Sequence, residues 1–158
     1  MRNALVKVLG LLCVIYGVSM IPPIAVSLIY ADGCAVQFLG IGLAAVVFGA
    51  IVVFFAPPTD PHLPSRGGFL IVTAAWFFLS LLGAVPFVLI GKLDVASAIF
   101  ETASGFTTTG ATAIVGIDYL PRSLLLYRQQ IQWLGGIGIV VAAIALMRVL
   151  DLDAAKVN

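Results

Sequence analysis

The chain has 158 residues, 62% of them hydrophobic and 9% charged, with a net charge of +1 and a mean hydropathy of +1.19. Globular domains carry about 25% charged residues, and eight basic and seven acidic side chains cannot cover a soluble domain of this size. The composition excludes a soluble globular protein, a disordered chain and a nucleic-acid binder, which needs clustered Lys and Arg, and makes membrane lipid the first partner.

Charge-free runs mark the membrane segments. The first is Val8–Ala31, preceded by Arg2 and Lys7. It exceeds the ~7–15 apolar residues of a signal peptide. Ala31-Asp32-Gly33-Cys34 has the look of a lipoprotein cleavage site, against which stand the acidic residue and three later runs. Pro22-Pro23 predicts a kink, because proline removes a donor and crowds the preceding turn. The second run is Gly33–Thr59, its last residues reading as loop. From Ala56 to Gly68 come four prolines with Asp60, His62 and Arg66, a turn-rich connector. His62, the sole histidine, reads as an exposed loop residue, since a metal ligand needs company. The third run is Gly67–Gly91 and the fourth Gln129–Met147. Each reaches the ~17–25 residues that cross the hydrocarbon core as a helix. A cytoplasmic N-terminus then puts Arg2, Lys7, Arg66, Arg148 and Lys156 inside and Lys92, Arg122 and Arg128 outside, in keeping with the positive-inside rule. Arg148, at the end of the fourth run, can snorkel to the interface. Cys13 and Cys34, about 31 Å apart if the intervening segment is helical, cannot pair and read as small apolar residues.

The stretch between the third and fourth runs does not fit a plain bundle. Val95–Ser104 is apolar and helix-forming, with Asp94 placed to cap it. Ten residues of helix cover about 15 Å, half the hydrocarbon core. Gly105-Phe106-Thr107-Thr108-Thr109-Gly110-Ala111-Thr112 follows, too polar and glycine-containing for a span. A short helix and an extended polar stretch predict a re-entrant loop, tolerated at membrane depth only beside protein or water. Extended backbone can aim carbonyl oxygens at an axis and replace the hydration shell of a monovalent cation. Gly110 permits backbone closed to residues with a Cβ, and the negative end of the helix dipole favours cations. The alternative is a Thr/Gly-rich external turn.

Glu101-Thr102-Ala103-Ser104-Gly105-Phe106-Thr107-Thr108-Thr109-Gly110-Ala111-Thr112 resembles the first pore loop of Trk-type potassium transporters, the TrkH-like subunits of the Trk/Ktr/HKT superfamily. Tyr127-Arg128-Gln129-Gln130-Ile131-Gln132-Trp133-Leu134-Gly135-Gly136-Ile137-Gly138 resembles the start of the helix after that loop. The resemblance implies an all-α, multi-pass integral membrane protein of the bacterial inner membrane, with four transmembrane helices and one re-entrant pore helix and filter loop. Residues 1–56 become a two-helix preamble, 57–66 a cytoplasmic linker, 67–150 the first helix–pore loop–helix repeat, and 151–158 a polar tail.

The same resemblance implies potassium uptake, with the carbonyls of Thr108, Thr109 and Gly110 as ion ligands and Thr107 as second choice. Glu101, Gly105 and Arg128 would support the filter, Glu101 as an anchor that hydrogen-bonds the loop or pairs with Arg128 rather than as an attractor for cations. Gly135, Gly136 and Gly138 would serve helix packing, and Trp133 either packing or an interfacial anchor. Such transporters build their pore from four repeats, of which this chain shows one. The implied partners are the remaining repeats, a second full subunit in a homodimer, and a cytosolic TrkA-like nucleotide-binding regulatory protein. The competing expectations are a truncated, non-conducting fragment or assembly element, and a small membrane scaffold whose threonine loop is only a turn. No catalytic grouping or metal-ligand spacing stands out, so neither an enzyme nor a cofactor beyond the transported ion is expected.

Overall fold

The structure is a computed structural model that describes residues 2–57 and 65–157; at 65, 66, 145, 146 and 148–157 only the backbone is described. Among the described residues the regular elements are helical: α1 (Arg2–Val18), α2 (Ile21–Tyr30), α3 (Ala35–Phe55), α4 (Ser65–Leu89), α5 (Val95–Phe106), a single 3-10 turn (Ile117–Tyr119) and α6 (Arg122–Val157). Three segments of these residues are long and apolar enough to cross a membrane: Arg2–Tyr30, Ala35–Phe55 and Gly67–Leu89. The fourth expected run, Gln129–Met147, lies within α6. The linker expected at 57–66, with His62, falls mostly outside the described residues, as does the side chain of Arg148.

The first span is broken, and the break lies just before the expected kink. Ser19 and Met20 form a turn, and Pro22 and Pro23 occupy the first turn of α2, where a missing N–H costs nothing. The residue four before Pro23 is Ser19, whose carbonyl thereby loses its helical donor. The Gln130 side-chain amide donates to it from α6. A third proline within the candidate spans, Pro86 in α4, frees the Leu82 carbonyl in the same way, and the Tyr16 hydroxyl donates to it at 3.3 Å. Each carbonyl is answered by a side chain from another helix, as the absence of water in lipid requires.

The helices α1 and α3 meet through glycine. A Cβ on Gly17 would lie 2.5 Å from the Gly42 carbonyl oxygen, and one on Gly49 2.5 Å from that of Gly10. Small residues at crossings let backbones touch, which supplies van der Waals packing where lipid leaves no hydrophobic drive. Against this pair, α2 turns toward α6, and α4, α5 and α6 pack on one another. The core lies at their junction: Phe38, Phe87 and Tyr127 are fully buried, with ring centroids 5.9 and 5.5 Å from that of Tyr127. The Tyr127 hydroxyl donates to the Gly83 carbonyl at 2.7 Å and lies 3.1 Å from the Tyr16 hydroxyl.

One end of the molecule is tied together by Asp32. Its Oδ2 accepts from the Ser123 backbone N–H at 2.9 Å, an orphan donor in the first turn of α6. Its Oδ1 accepts from the Ser27 hydroxyl and from the Cys34 N–H. Desolvation pushes the Asp32 pKa up, but the bonds from Ser27, Ser123 and Cys34 outweigh it and hold the carboxyl down at about 2. Gly91, just after α4, also abuts Leu124. The α2–α3 loop, the end of α4 and the start of α6 therefore share one end.

The helix α6 is longer at both ends than the charge-free run Gln129–Met147. It begins at Arg122, five residues before Tyr127, where the resemblance starts it. Arg128 is only 8% exposed and paired, so its charge does not end the helix as a solvated charge would. At the other end, the polar residues from 151 carry the helical backbone on to Val157.

Candidate ion-binding loop

The short helix α5 starts where its cap predicts: Asp94 is extended and its side chain accepts from the Ser97 N–H at 3.0 Å. Of its buried positions, Ala98, Glu101, Thr102 and Gly105 recur at helical spacing, with Ser104 and Phe106 buried beside them. Thr102 is fully buried, and its hydroxyl reaches the Ser80 carbonyl of α4 at 2.5 Å. Gly105 lies against the Ile131 side chain, and Gly135 directly against the backbone of Phe106. Gly135 is twelve residues beyond Ser123, about 18 Å along the axis. The end of α5 thus lies about that far from the end held by Asp32, and the chain must climb back from Thr107 to reach Pro121. Of the other α6 glycines, Gly136 faces the Thr108 methyl and Gly138 faces Trp76 of α4. Trp133 is 67% exposed.

The backbone from Thr107 to Gly110 is non-helical but not simply extended, which corrects the sequence expectation. Thr107 closes α5, its N–H bonded to the Ala103 carbonyl. Thr108 then adopts φ +58 and Gly110 φ +76. A β-branched residue in the left-handed region is an outlier, costing on the order of 1–3 kcal/mol. The loop holds it with a bond from the Thr108 N–H to the Gly105 carbonyl at 2.9 Å. At Gly110 the same region is natural to glycine, and a Cβ there would meet nothing within 4 Å.

Hydrogen bonds partition the loop carbonyls. The Thr107 carbonyl accepts from the Thr108 hydroxyl at 2.7 Å, and the Ala111 carbonyl from the Ser104 hydroxyl at 2.7 Å. Between them, the carbonyls of Thr108, Thr109 and Gly110 accept no hydrogen bond among the described residues. All three residues are exposed. These are the three expected ligands, and Thr107 is separated from them by its occupied carbonyl. The Thr107 and Thr109 hydroxyls lie 2.8 Å apart.

The returning strand is fastened by Glu101, which is 1% exposed. Its Oε1 accepts from the Thr112 hydroxyl at 2.6 Å and the Ala113 N–H at 2.5 Å. Its Oε2 accepts from Arg128 Nε at 3.1 Å. The carboxylate joins α5, the loop and α6, and the negative C-terminal end of α5 leads straight into the free carbonyls. Sequence reasoning missed Ser104, Asp32 and Gln130. Only Gln130 had a signal, a polar side chain in an apolar run opposite prolines that free carbonyls.

The sequence matches the TrkH cation transport protein family over residues 36–158. The Trk system potassium uptake protein TrkH of Halomonas elongata is 44% identical over 150 residues, 94% of this chain and 31% of that protein. Its counterpart in Escherichia coli K12 is 41% identical over 152 residues, 95% of this chain and 32% of that one. The crystal structure of the potassium transporter TrkH from Vibrio parahaemolyticus superposes with a TM-score of 0.87 at 40% identity, covering 93% of this chain and 32% of that one. The chain thus spans about a third of the length of the relatives it matches, and it belongs to the TrkH family of cation transport proteins.

Proposed function

We propose that this chain is the preamble and first helix–pore loop–helix unit of a potassium uptake protein, with the carbonyls of Thr108, Thr109 and Gly110 supplying one side of a cage for dehydrated K+. The observation that carries this reading is the run of three unoccupied carbonyls between two occupied ones, at the C-terminal end of a short helix. The printed names of the relatives, potassium uptake proteins and a potassium transporter, support the choice of ion. In this reading α6 makes the fourth crossing, α5 and the loop re-enter the membrane, and the N-terminus faces the cytoplasm of a bacterial inner membrane. Glu101, Arg128 and Gly105 brace the loop. The remaining repeats, a second subunit and a cytosolic TrkA-like nucleotide-binding protein are its partners.

Gly110→Ser tests the reading in a transporter carrying this segment. A Cβ in the left-handed region distorts the carbonyl run without a clash, so the ratio of K+ to Na+ uptake should fall while membrane expression holds. An unchanged ratio removes Gly110 from the ion path.

A second reading concerns the chain alone. Residues 107–113 are exposed, and one loop surrounds an ion on one side only, so residues 1–158 by themselves should not conduct selectively. Expressed in cells lacking potassium uptake systems, on limiting potassium, they should not restore growth. Growth that disappears with Gly110→Ser would establish instead a pore of several identical copies.

A further inference from the structure

We infer that Ser104 is a positioning residue that sets the length of the ion-binding carbonyl run, an inference that rests on the proposed function. Ser104 is 7% exposed and stands two residues before the end of α5. Its carbonyl accepts from the Thr109 N–H at 2.9 Å and the Gly110 N–H at 3.4 Å, and lies 3.4 Å from the Thr107 hydroxyl. Its hydroxyl donates to the Ala111 carbonyl at 2.7 Å. One residue therefore ties down residues 107, 109, 110 and 111, on both sides of the free carbonyls.

The two ties do different work. The bonds to the Thr109 and Gly110 amides consume donors and leave the carbonyls of the same residues for an ion. The bond to Ala111 consumes the carbonyl that separates the run from those of Thr112 to Val115, which also accept no hydrogen bond among the described residues. An additional loosely held oxygen favours ions indiscriminately, because selectivity depends on the number and placement of the carbonyl dipoles. The hydroxyl is also the one side-chain link from α5 to Gly110 and Ala111, among the described residues, Thr109 being tied as well through the Thr107 hydroxyl. Without it, the Gly110 end of the run is held by backbone alone until Glu101 takes up Thr112 and Ala113.

Ser104→Ala deletes this bond and leaves the carbonyl in place. In a transporter carrying this segment it should lower the ratio of K+ to Na+ uptake by roughly three- to tenfold, the scale of one intramolecular hydrogen bond. Ser80→Ala, which deletes a buried hydroxyl bonded within its own helix, should leave the ratio unchanged. In the 158-residue chain in lipid nanodiscs, Ser104→Ala should speed exchange at the Thr109 and Gly110 amides by a similar factor, while the Ala113 amide, held by Glu101, keeps its rate. If Gly110→Ser moves the uptake ratio and Ser104→Ala does not, the inference is overturned and the ion-path reading stands. If neither moves it, both fall. Should Ser104→Ala fail to reach the membrane, unchanged exchange in the nanodisc sample overturns the inference by itself.

Discussion

Glu101→Gln removes a charge from a side chain that is 1% exposed while leaving its shape nearly intact. The new amide keeps one oxygen for Thr112 and Ala113, which the structure places at 2.6 and 2.5 Å. It cannot also accept from Arg128, now 3.1 Å from an N–H-bearing group rather than a carboxylate oxygen. Arg128, 8% exposed, becomes a buried charge without a counterion, and breaking such a pair costs about 3–5 kcal/mol. Arg128→Met in the same background removes the stranded charge and should recover most of that loss, since a buried pair replaced by apolar groups is close to neutral. The assay is equilibrium unfolding of the chain in mixed micelles titrated with SDS, run on the wild type, both single variants and the double. We expect a coupling of at least about 2 kcal/mol. A loss below about 1 kcal/mol for Glu101→Gln, the scale of an exposed pair, or simple additivity in the double variant, would refute the argument that this carboxylate fastens the loop through charge.

Gly135→Ala should destabilise the chain by about 1–3 kcal/mol through overpacking against the Phe106 backbone; in the same unfolding assay Gly110→Ala, with no neighbour to meet, should show only the cost of its positive φ. Gln130→Leu leaves the Ser19 carbonyl without its donor and should cost about 1–3 kcal/mol, with faster amide exchange confined to the break between α1 and α2. Asp32, held at about 2 in the fold, stabilises the chain above its unfolded pKa of ~3.9. That contribution is lost as pH falls from about 4 toward 2. Asp32→Asn should flatten the acid limb of a stability–pH profile, and an unchanged limb would show that the bonds from Ser27, Ser123 and Cys34 to the carboxylate contribute nothing.

Counting charges located the spans because lipid imposes one rule on every residue of a crossing. Gly67–Leu89 and Ala35–Phe55 fall inside the charge-free runs. The rule placed the start of the fourth run one residue after Arg128, because a charge can lie inside a helix once a partner neutralises it, and the partner of Arg128, Glu101, is 27 residues earlier. The positive φ of Thr108 had no local signal at all, since a β-branched side chain argues against it. The threonine–glycine run marked where the proposed site is. Which carbonyls stay free depends on Ser104, whose role emerges only when α5 is folded against the loop.

The donor that Gln130 gives to Ser19 lies 111 residues downstream in the chain. At roughly 5–20 residues per second, the first span is made about 6–22 seconds before the group that completes it. The glycine contacts between α1 and α3 need nothing beyond residue 55, so those two helices can associate early. Throughout that interval the break at Ser19 and Met20 must find its partner in water or in the insertion machinery. The segment Arg2–Tyr30 is thus finished only once α6 has been made, and variants at Gln130 should betray themselves first as a defect of biogenesis.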